Sequence, residues 1–200
     1  MAEAQTASAQ APGGGELAAK RARLKEIIKE RSVRTGEAVT LASGRTSNFY
    51  VDMRATTLDA EGALLIAELV VDAIAGENVD FIGGLEVGAV PMVAVAGPVA
   101  LQQGKRLKPF FVRKKIKEHG RRLRIEGLAD DEFLEGARVV MVEDVTTSGG
   151  SVLDAAEVVR EAGGDVVMIL SVVDRGEGAA ERFAQAGYRF KALFTVDDFK

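Results

Sequence analysis

The hydrophobic pattern of this chain is dominated by short, wholly apolar runs that end in polar or glycine-rich residues. The sharpest of them is VVMV at 139–142, which gives way to EDVTTSGGS. A run this short and apolar is typical of a strand buried on both faces, as in a parallel sheet. Similar runs predict further strands at 79–82, 109–112, 165–173 and 192–196.

Between these runs, apolar residues recur at helical spacing. One predicted helix covers 59–76, and its apolar face comprises Leu64, Leu65, Ile66, Leu69, Val70 and Ile74. Others run through about residue 103, from residue 151 as SVLDAAEVVREAGG, and over 179–187. Because strands and helices alternate from residue 61 onward, the pattern predicts an α/β fold with a doubly wound, mostly parallel sheet.

The N-terminal part has a different pattern. Residues 1–15, MAEAQTASAQAPGGG, are small and polar without periodicity, which predicts a disordered tail. ELAAKRARLKEIIKER at 16–31 predicts an amphipathic helix, and two short strands at 38–41 and 48–53 flank the polar turn SGRTS. We therefore predict a single domain over 16–200.

Composition removes several classes of function. The 200 residues are 47% apolar and 28% charged, with a net charge of −4, no cysteine and one histidine, His119. The balance is ordinary for a globular protein and argues against general nucleic-acid binding, and these counts exclude disulfides and a multi-histidine metal site. No apolar run approaches the ~18 residues that span a bilayer. The N-terminus lacks the pattern of a signal peptide, so we expect a cytoplasmic protein.

The polar residues after the 139–142 strand suit a phosphorylated sugar. Glycines and hydroxyls at the start of a helix can bind a phosphate with backbone N–H groups. Glu143 and Asp144 would repel a phosphate, but their carboxylates can accept hydrogen bonds from ribose hydroxyls. The candidate phosphate loop beyond them comprises Val145, Thr146, Thr147, Ser148, Gly149, Gly150 and Ser151.

A second glycine-rich turn, GGLEVG, follows the 79–82 strand and contains Gly83, Gly84 and Gly88. It is either a packing turn or another phosphate loop. Loops at the carboxyl ends of neighbouring parallel strands converge on one crevice. Two anion-binding loops there would suit a ligand with phosphates at both ends.

The segment 113–127, RKKIKEHGRRLRIEG, has seven basic and two acidic residues in a chain whose net charge is negative. It lacks apolar periodicity, so we predict a long loop. Three interpretations compete. It is a solvated charge run, a nucleic-acid patch without aromatic residues to stack on bases, or a mobile lid over a polyanionic substrate.

Four stretches, in order from about residue 41 to 175, resemble one family. VEDVTTSGGS resembles the 5-phosphoribosyl-1-diphosphate (PRPP) motif of type I phosphoribosyltransferases. Arg113, Lys114, Lys117 and His119, with Gly120 as a possible hinge, resemble the R-K-x-x-K-x-H-G loop of orotate phosphoribosyltransferases. SGRTSNFYVDMR resembles their N-terminal substrate segment. Asp174-Arg175 matches a D-R pair whose arginine binds the orotate carboxylate, although the dipeptide alone also fits a surface ion pair.

The resemblance implies a type I phosphoribosyltransferase fold with a small N-terminal hood segment at 16–55 and a mobile catalytic loop at 113–127. It implies transfer of ribose 5-phosphate from PRPP to orotate, giving orotidine 5′-monophosphate and pyrophosphate in pyrimidine (UMP) biosynthesis. Mg²⁺ would be carried on the PRPP diphosphate, with no protein metal cluster. A homodimer is implied, in which each catalytic loop reaches the partner's site.

The resemblance also assigns roles to residues of this chain. Catalytic roles fall to Lys117, Asp144 and His119, and orotate binding to Thr147 and Arg175. PRPP binding falls to Arg113, Lys114, Lys117, His119, Glu143, Asp144, Val145, Thr146, Thr147, Ser148, Gly149, Gly150 and Ser151.

This sequence departs from the family pattern at three positions. Part of the family has lysines where this chain has Ala42 and Val87, and Glu143 stands where many members have aspartate. Two other functions stay open. One is a phosphoribosyltransferase for another base, such as a purine, and the other is a non-catalytic PRPP sensor with a nucleic-acid-binding surface.

Overall fold

The computed structural model of the chain describes residues 14–40, 46–115 and 124–200. Its elements, in chain order, are α1 (Gly14–Arg31), β1 (Val33–Thr40), β2 (Thr46–Val51), α2 (Arg54–Thr57), α3 (Ala60–Ala73), β3 (Phe81–Gly83), α4 (Ala89–Gln102), β4 (Lys108–Pro109), β5 (Phe111–Val112), β6 (Ile125–Glu126), β7 (Arg138–Thr146), α5 (Gly150–Glu161), β8 (Asp165–Asp174), α6 (Ala179–Gln185), β9 (Phe190–Thr195) and a final 3-10 helix (Val196–Phe199).

Five of these strands form one sheet in the order β4, β3, β7, β8, β9, and every neighbouring pair is parallel. The predicted doubly wound parallel sheet is therefore confirmed. The strand order reverses between β3 and β7, because β4 follows β3 in the chain but lies on its outer side. In open α/β sheets, ligands bind beyond the carboxyl ends of the strands at such a reversal. The residues after β3 and after β7 therefore face one crevice.

The central strand β7 is buried on both faces, as its wholly apolar start predicts. Val140 and Val142 pack into a core with α1, α3 and α4. Val139 and Met141 point the other way, into a core with α5 and α6. This alternation along β7 gives the sheet its two helical layers.

Two smaller antiparallel pairs lie outside the main sheet. Strands β1 and β2 pair with each other, with an irregularity between Thr35 and Val39 where Gly36 adopts a φ of 97°. Strands β5 and β6 form a two-residue ladder, Phe111 with Glu126 and Val112 with Ile125.

Several predicted boundaries in the second half of the chain were wrong. The predicted strand at 109–112 is two strands, because β4 joins the parallel sheet at Pro109 whereas β5 turns away to pair with β6. Strand β7 continues to Thr146 instead of ending at residue 142, because β8 pairs beside it up to Asp174. The predicted loop 113–127 includes β6, whose strand pairing depends on a distant partner.

The N-terminal boundaries also shifted. Helix α1 begins at Gly14, two residues inside the predicted tail, and β1 begins at Val33 rather than residue 38. The sequence analysis missed the short helix α2 and the final 3-10 helix. Helix α3 begins where predicted, because the Asp59 side chain caps it by accepting a hydrogen bond from the Gly62 N–H at 3.0 Å.

Candidate active site

The two acids of the central motif lie inside β7, not in a loop. Glu143 pairs with Ser171 of β8, so the strand ladder fixes the backbone of the acidic pair. Asp144 is held further by its own neighbour, because its Oδ1 accepts a hydrogen bond from the Val145 N–H at 2.8 Å. Both carboxyl groups are therefore presented from rigid structure, as a binding constellation requires.

A cavity of about 310 Å³ opens beside these acids at the reversal of strand order. Its walls come from β7, from the loop between β3 and α4, from the start of the catalytic loop and from α2. The lining residues are Arg54, Leu85, Glu86, Val87, Gly88, Ala89, Lys114, Glu143, Asp144 and Ser151.

Both acids are half-buried at the cavity wall, and this raises the pKa of each carboxyl group. Burial, with the adjacent Asp144 carboxylate, raises the pKa of Glu143 to about 8, and the Lys114 ammonium opposes the rise. Burial also raises the pKa of Asp144, against the hydrogen bond from the Val145 N–H. Strong shifts of this kind in a cleft are typical of functional groups. A carboxyl group that is neutral near pH 7 does not repel an incoming phosphate.

The loop after β7 leads into a helix N-terminus that is open to an anion. Gly149 precedes α5 with a φ of 75°, and a Cβ there would lie 2.5 Å from two ring atoms of Phe183. Because this N-cap residue is a glycine, it has no side chain that could cap α5. The first N–H groups of α5 are thus left for a ligand, which supports the predicted phosphate loop.

The glycines of the second turn, GGLEVG, divide between the two predicted interpretations. Gly83 and Gly84 serve packing, because a Cβ would lie 2.2 Å from the Phe110 ring at the first and 2.3 Å from the Val142 carbonyl at the second. Gly88 belongs to the cavity, where a Cβ would lie 2.6 Å from Oδ1 of Asp144. The turn therefore brings its backbone close to the acids of β7.

The catalytic loop, residues 113–127, is described at its two ends. The Arg113 N–H donates to the Arg124 carbonyl at 2.7 Å, and the Arg124 Nε donates back to the Arg113 carbonyl at 3.0 Å. Arg124 also pairs with Asp154 of α5, with 2.5 Å between its NH2 nitrogen and Oδ2. Lys117, His119 and the possible hinge Gly120 lie outside the described residues.

Arg175 lies at the end of β8, beside the phosphate loop. Its backbone N–H donates to the Thr146 carbonyl at 2.9 Å, and its side chain is only 10% exposed. Its Nε donates to Glu177 at 2.9 Å. The arginine is therefore a largely buried cation whose orientation is fixed by a near neighbour.

The structure gathers part of the predicted PRPP site into the cavity and places other parts beside it. Lys114, Glu143, Asp144 and Ser151 line the cavity. Thr146 is fully buried at the end of β7, and its hydroxyl has no hydrogen-bond partner in the described ranges. Other residues predicted to bind PRPP are not part of the cavity lining, namely Arg113, Val145, Thr147, Ser148, Gly149 and Gly150.

Two lining residues were missed by the sequence analysis. Arg54 pairs through Nε and NH2 with Asp52, at 2.8 and 2.6 Å. Arg54 is the last residue of SGRTSNFYVDMR, and its place in this segment could have identified it as a site residue. Glu86 lies between the glycines of the second turn, where an acid had no evident partner in the sequence.

Three basic residues of α1 have partners within the protein. Arg23 contacts both carboxylate oxygens of Glu61 at 2.7 Å, and Lys20 pairs with Glu68 of the same neighbouring helix. The Arg21 guanidinium lies 4.4 Å from the centre of the Phe194 ring. These contacts favour a packing role for α1 over the surface that a sensor would need. None of the helices in the described ranges has the length and apolarity that crossing a bilayer requires.

Comparison with known proteins agrees with this geometry. Residues 55–189 match the family model of the phosphoribosyl transferase domain. A protein of Rhodopseudomonas palustris named orotate phosphoribosyltransferase is 54% identical over 181 residues, which cover 90% of this chain and 96% of that relative.

Solved structures give the same result. The orotate phosphoribosyltransferase of Mycobacterium tuberculosis, crystallised with Fe(III) dicitrate, superposes with a TM-score of 0.76 at 39% identity, covering 90% of this chain and 98% of that one. A crystal structure of that enzyme with PRPP superposes with a TM-score of 0.74 at 36% identity, covering the same shares. The chain therefore belongs to the phosphoribosyltransferase family and, within it, to the orotate phosphoribosyltransferases.

Proposed function

We propose that this protein transfers ribose 5-phosphate from PRPP to orotate, giving orotidine 5′-monophosphate and pyrophosphate for UMP synthesis. The observation that carries the proposal is the cavity that the Glu143 and Asp144 carboxyl groups line together with Lys114 and with Ser151 at the start of α5. A ligand with a sugar between two phosphate groups suits carboxyl groups that are flanked by a helix N-terminus and by a lysine. The names of the relatives support orotate as the acceptor.

The reaction breaks the bond between ribose C1 and the diphosphate oxygen, and the electron pair leaves with the diphosphate. A bond from an orotate ring nitrogen to C1 forms on the opposite face, with inversion, and the proton on that nitrogen is released to solvent. Positive charge grows on the ribose ring as the leaving group departs. Glu143 and Asp144 hold the ribose hydroxyls. The Asp144 carboxylate faces this charge, and preorganised groups of this kind are often the largest contribution to catalysis.

The phosphate loop and the catalytic loop hold the two phosphate ends of PRPP. Residues 145–151 bind the 5′-phosphate through backbone N–H groups and hydroxyls at the start of α5. Lys114, Arg113, Lys117 and His119 neutralise the departing pyrophosphate. Lys117 or His119 acts as general acid, and the family resemblance favours the lysine.

Orotate binds beside the phosphate loop. Arg175 offers its planar guanidinium to the orotate carboxylate, a geometry that lysine cannot reproduce. Because Glu177 holds Nε, the terminal nitrogens are the ones offered to the substrate. Thr147, one residue beyond the carbonyl that anchors the Arg175 backbone, provides a second contact.

Mg²⁺ is proposed to arrive on the PRPP diphosphate. In the described ranges no three acidic or histidine side chains are grouped to hold a metal ion, so those ranges do not supply a full ligand set. The cavity offers the Asp144 carboxyl oxygens, and a hard cation there would take its other ligands from phosphate and water. Once bound, Mg²⁺ would neutralise charge on the leaving group.

We also propose a cytoplasmic homodimer in which the catalytic loop of one protomer reaches the site of its partner. The family resemblance of the loop motif supports this arrangement. The described loop ends, at Lys114 and Arg124, lie against the cavity and α5 of their own protomer.

The test is loss of orotate absorbance with purified protein, Mg²⁺ and PRPP, with adenine and uracil as alternative acceptors. Turnover of orotate alone is expected, and Lys117→Ala should lower it at least ~100-fold. Turnover of adenine would instead support the purine alternative. PRPP binding without turnover of any base would contradict the proposed enzymatic function and would favour the non-catalytic PRPP sensor.

A further inference from the structure

We propose that Glu86 is a positioning residue. Its carboxylate holds the backbone N–H of Lys114, and this contact fixes the Lys114 ammonium opposite Glu143 at the wall of the cavity. The effect on turnover rests on the proposed function, whereas the contact itself does not.

Three hydrogen bonds join the second turn to the start of the catalytic loop. The Val112 N–H donates to the Gly84 carbonyl and the Glu86 N–H donates to the Val112 carbonyl, each at 2.8 Å. The third runs from the Lys114 N–H to Oε1 of Glu86 at 2.9 Å. The first two join backbone groups and need no particular side chain. The third needs an acceptor that reaches from position 86.

Among the described residues of this stretch, Lys114 is the first whose backbone N–H donates to a side chain and not to a backbone carbonyl. Its neighbour Arg113 still donates to Arg124 across the loop, at 2.7 Å. The side chain of Glu86 supplies the next contact in place of a backbone carbonyl. The glutamate side chain is long enough for its carboxyl oxygen to reach this N–H, so the contact depends on the length of the side chain at position 86.

The held residue acts on the reaction site. Lys114 and Glu143 line one cavity, and in keeping with this the Lys114 ammonium opposes the rise in the pKa of Glu143. Glu86, Lys114 and Glu143 line the same cavity. Release of the Lys114 backbone would allow its ammonium to leave this wall and would weaken binding of the diphosphate end of PRPP.

Glu86 could instead contact a cation on the diphosphate. That role would depend on the charge of the carboxylate and not on the length of the side chain. Two conservative variants separate the roles. Glu86→Gln keeps the reach and an acceptor oxygen but removes the charge, whereas Glu86→Asp keeps the charge and shortens the side chain. The corresponding changes at Glu157, which lies on the exposed face of α5 and pairs with Arg160, are the matched controls.

Two measurements decide the role: hydrogen exchange of the Lys114 amide, followed by NMR, and KM and kcat for PRPP. In Glu86→Asp, exchange at Lys114 should be about tenfold faster and the KM for PRPP about five- to tenfold higher. Glu86→Gln should stay within about twofold of the unmodified protein in both measurements. Melting temperatures of all variants verify that the fold is retained.

Larger changes in Glu86→Gln than in Glu86→Asp would overturn the proposal, because the charge of Glu86 would then matter more than the length of its side chain. Faster exchange in Glu86→Asp with unchanged kinetics for PRPP would also overturn the positioning role. Failure of the proposed function looks different. In that case the unmodified protein would protect the Lys114 amide in the same way but would not turn over orotate.

Discussion

Arg175 and Glu143 are the two residues whose environments point most directly to chemistry. Arg175 is largely buried, and its Nε donates to a carboxylate oxygen of Glu177 at 2.9 Å. Glu143 is a carboxyl group that keeps its proton near neutral pH because burial disfavours its charge. Each property can be tested by a conservative substitution.

Arg175→Lys keeps the positive charge but loses the planar fork. If the guanidinium binds the orotate carboxylate, kcat/KM for orotate should fall about 10- to 100-fold, the amount expected for lost charge-assisted hydrogen bonds. Steady-state kinetics with varied orotate provide the measurement, and Arg189→Lys, at an exposed ion pair, provides the control. An unchanged kcat/KM would mean that Arg175 and Glu177 form a structural ion pair only.

The raised pKa of Glu143 predicts a pH dependence of stability. The folded group has a pKa of about 8 against a reference of 4.5, so the folded state holds a proton that the unfolded chain releases. Its stabilising effect is complete below about pH 4.5 and is lost as the pH rises through about 8.

Urea titrations of the ligand-free protein between pH 5.5 and 8.5 should therefore show this loss. Glu143→Gln cannot ionise, so its free energy of unfolding should decline less over the same range. Glu157→Gln, at an exposed position, should follow the unmodified protein. Parallel curves for Glu143→Gln and the unmodified protein would contradict the raised pKa.

The turn between β3 and α4 is the most constrained element at the site. Its first two glycines pack against Phe110 and Val142, and Gly88 packs against Asp144. The turn thus fits closely onto β7, and the spacing between the two segments proposed to bind the phosphates of PRPP depends on this contact.

Gly88→Ala should disturb this spacing. The added Cβ would lie 2.6 Å from a carboxylate oxygen of Asp144, so the turn or the acid must move. We expect kcat/KM for PRPP to fall about 10- to 100-fold, since overpacking of this kind costs a few kcal/mol. Gly76→Ala adds a Cβ with nothing within 4 Å and serves as the control. Equal kinetics for the two variants would show that the turn yields without consequence.

At the scale of the whole molecule, the proposed dimer shares its active sites. The mixing of two inactive variants tests this arrangement. Lys117→Ala removes a catalytic-loop residue, and Asp144→Asn removes a residue of the site itself. If each loop serves the partner's site, a mixed dimer has one site with both residues intact.

Random exchange of protomers should then restore about a quarter of the original activity. Each variant mixed with itself provides the background rate. A mixture that stays inactive, although sedimentation shows that protomers have exchanged, would place each loop over the site of its own protomer.

Prediction from the sequence succeeded where a local pattern carried the information. The wholly apolar run at 139–142 is buried on both faces of the sheet, and the alternation of strands and helices predicted the doubly wound fold. It failed where pairing with a distant segment decides the structure. Strand β6 lies in a basic stretch and exists through its pairing with β5, and the division of 109–112 depends on which neighbour each half meets.

The sequence by itself determined the fold class, the family and the candidate residues of the central motif, because apolar periodicity and contiguous motifs are local properties. Only the tertiary structure decided which residues share the cavity and how their charges behave. Arg54 and Glu86 join the acids of β7 because strand order brings three separate segments together. The raised pKa of Glu143 follows from burial and from its neighbours, and neither exists until the chain has folded.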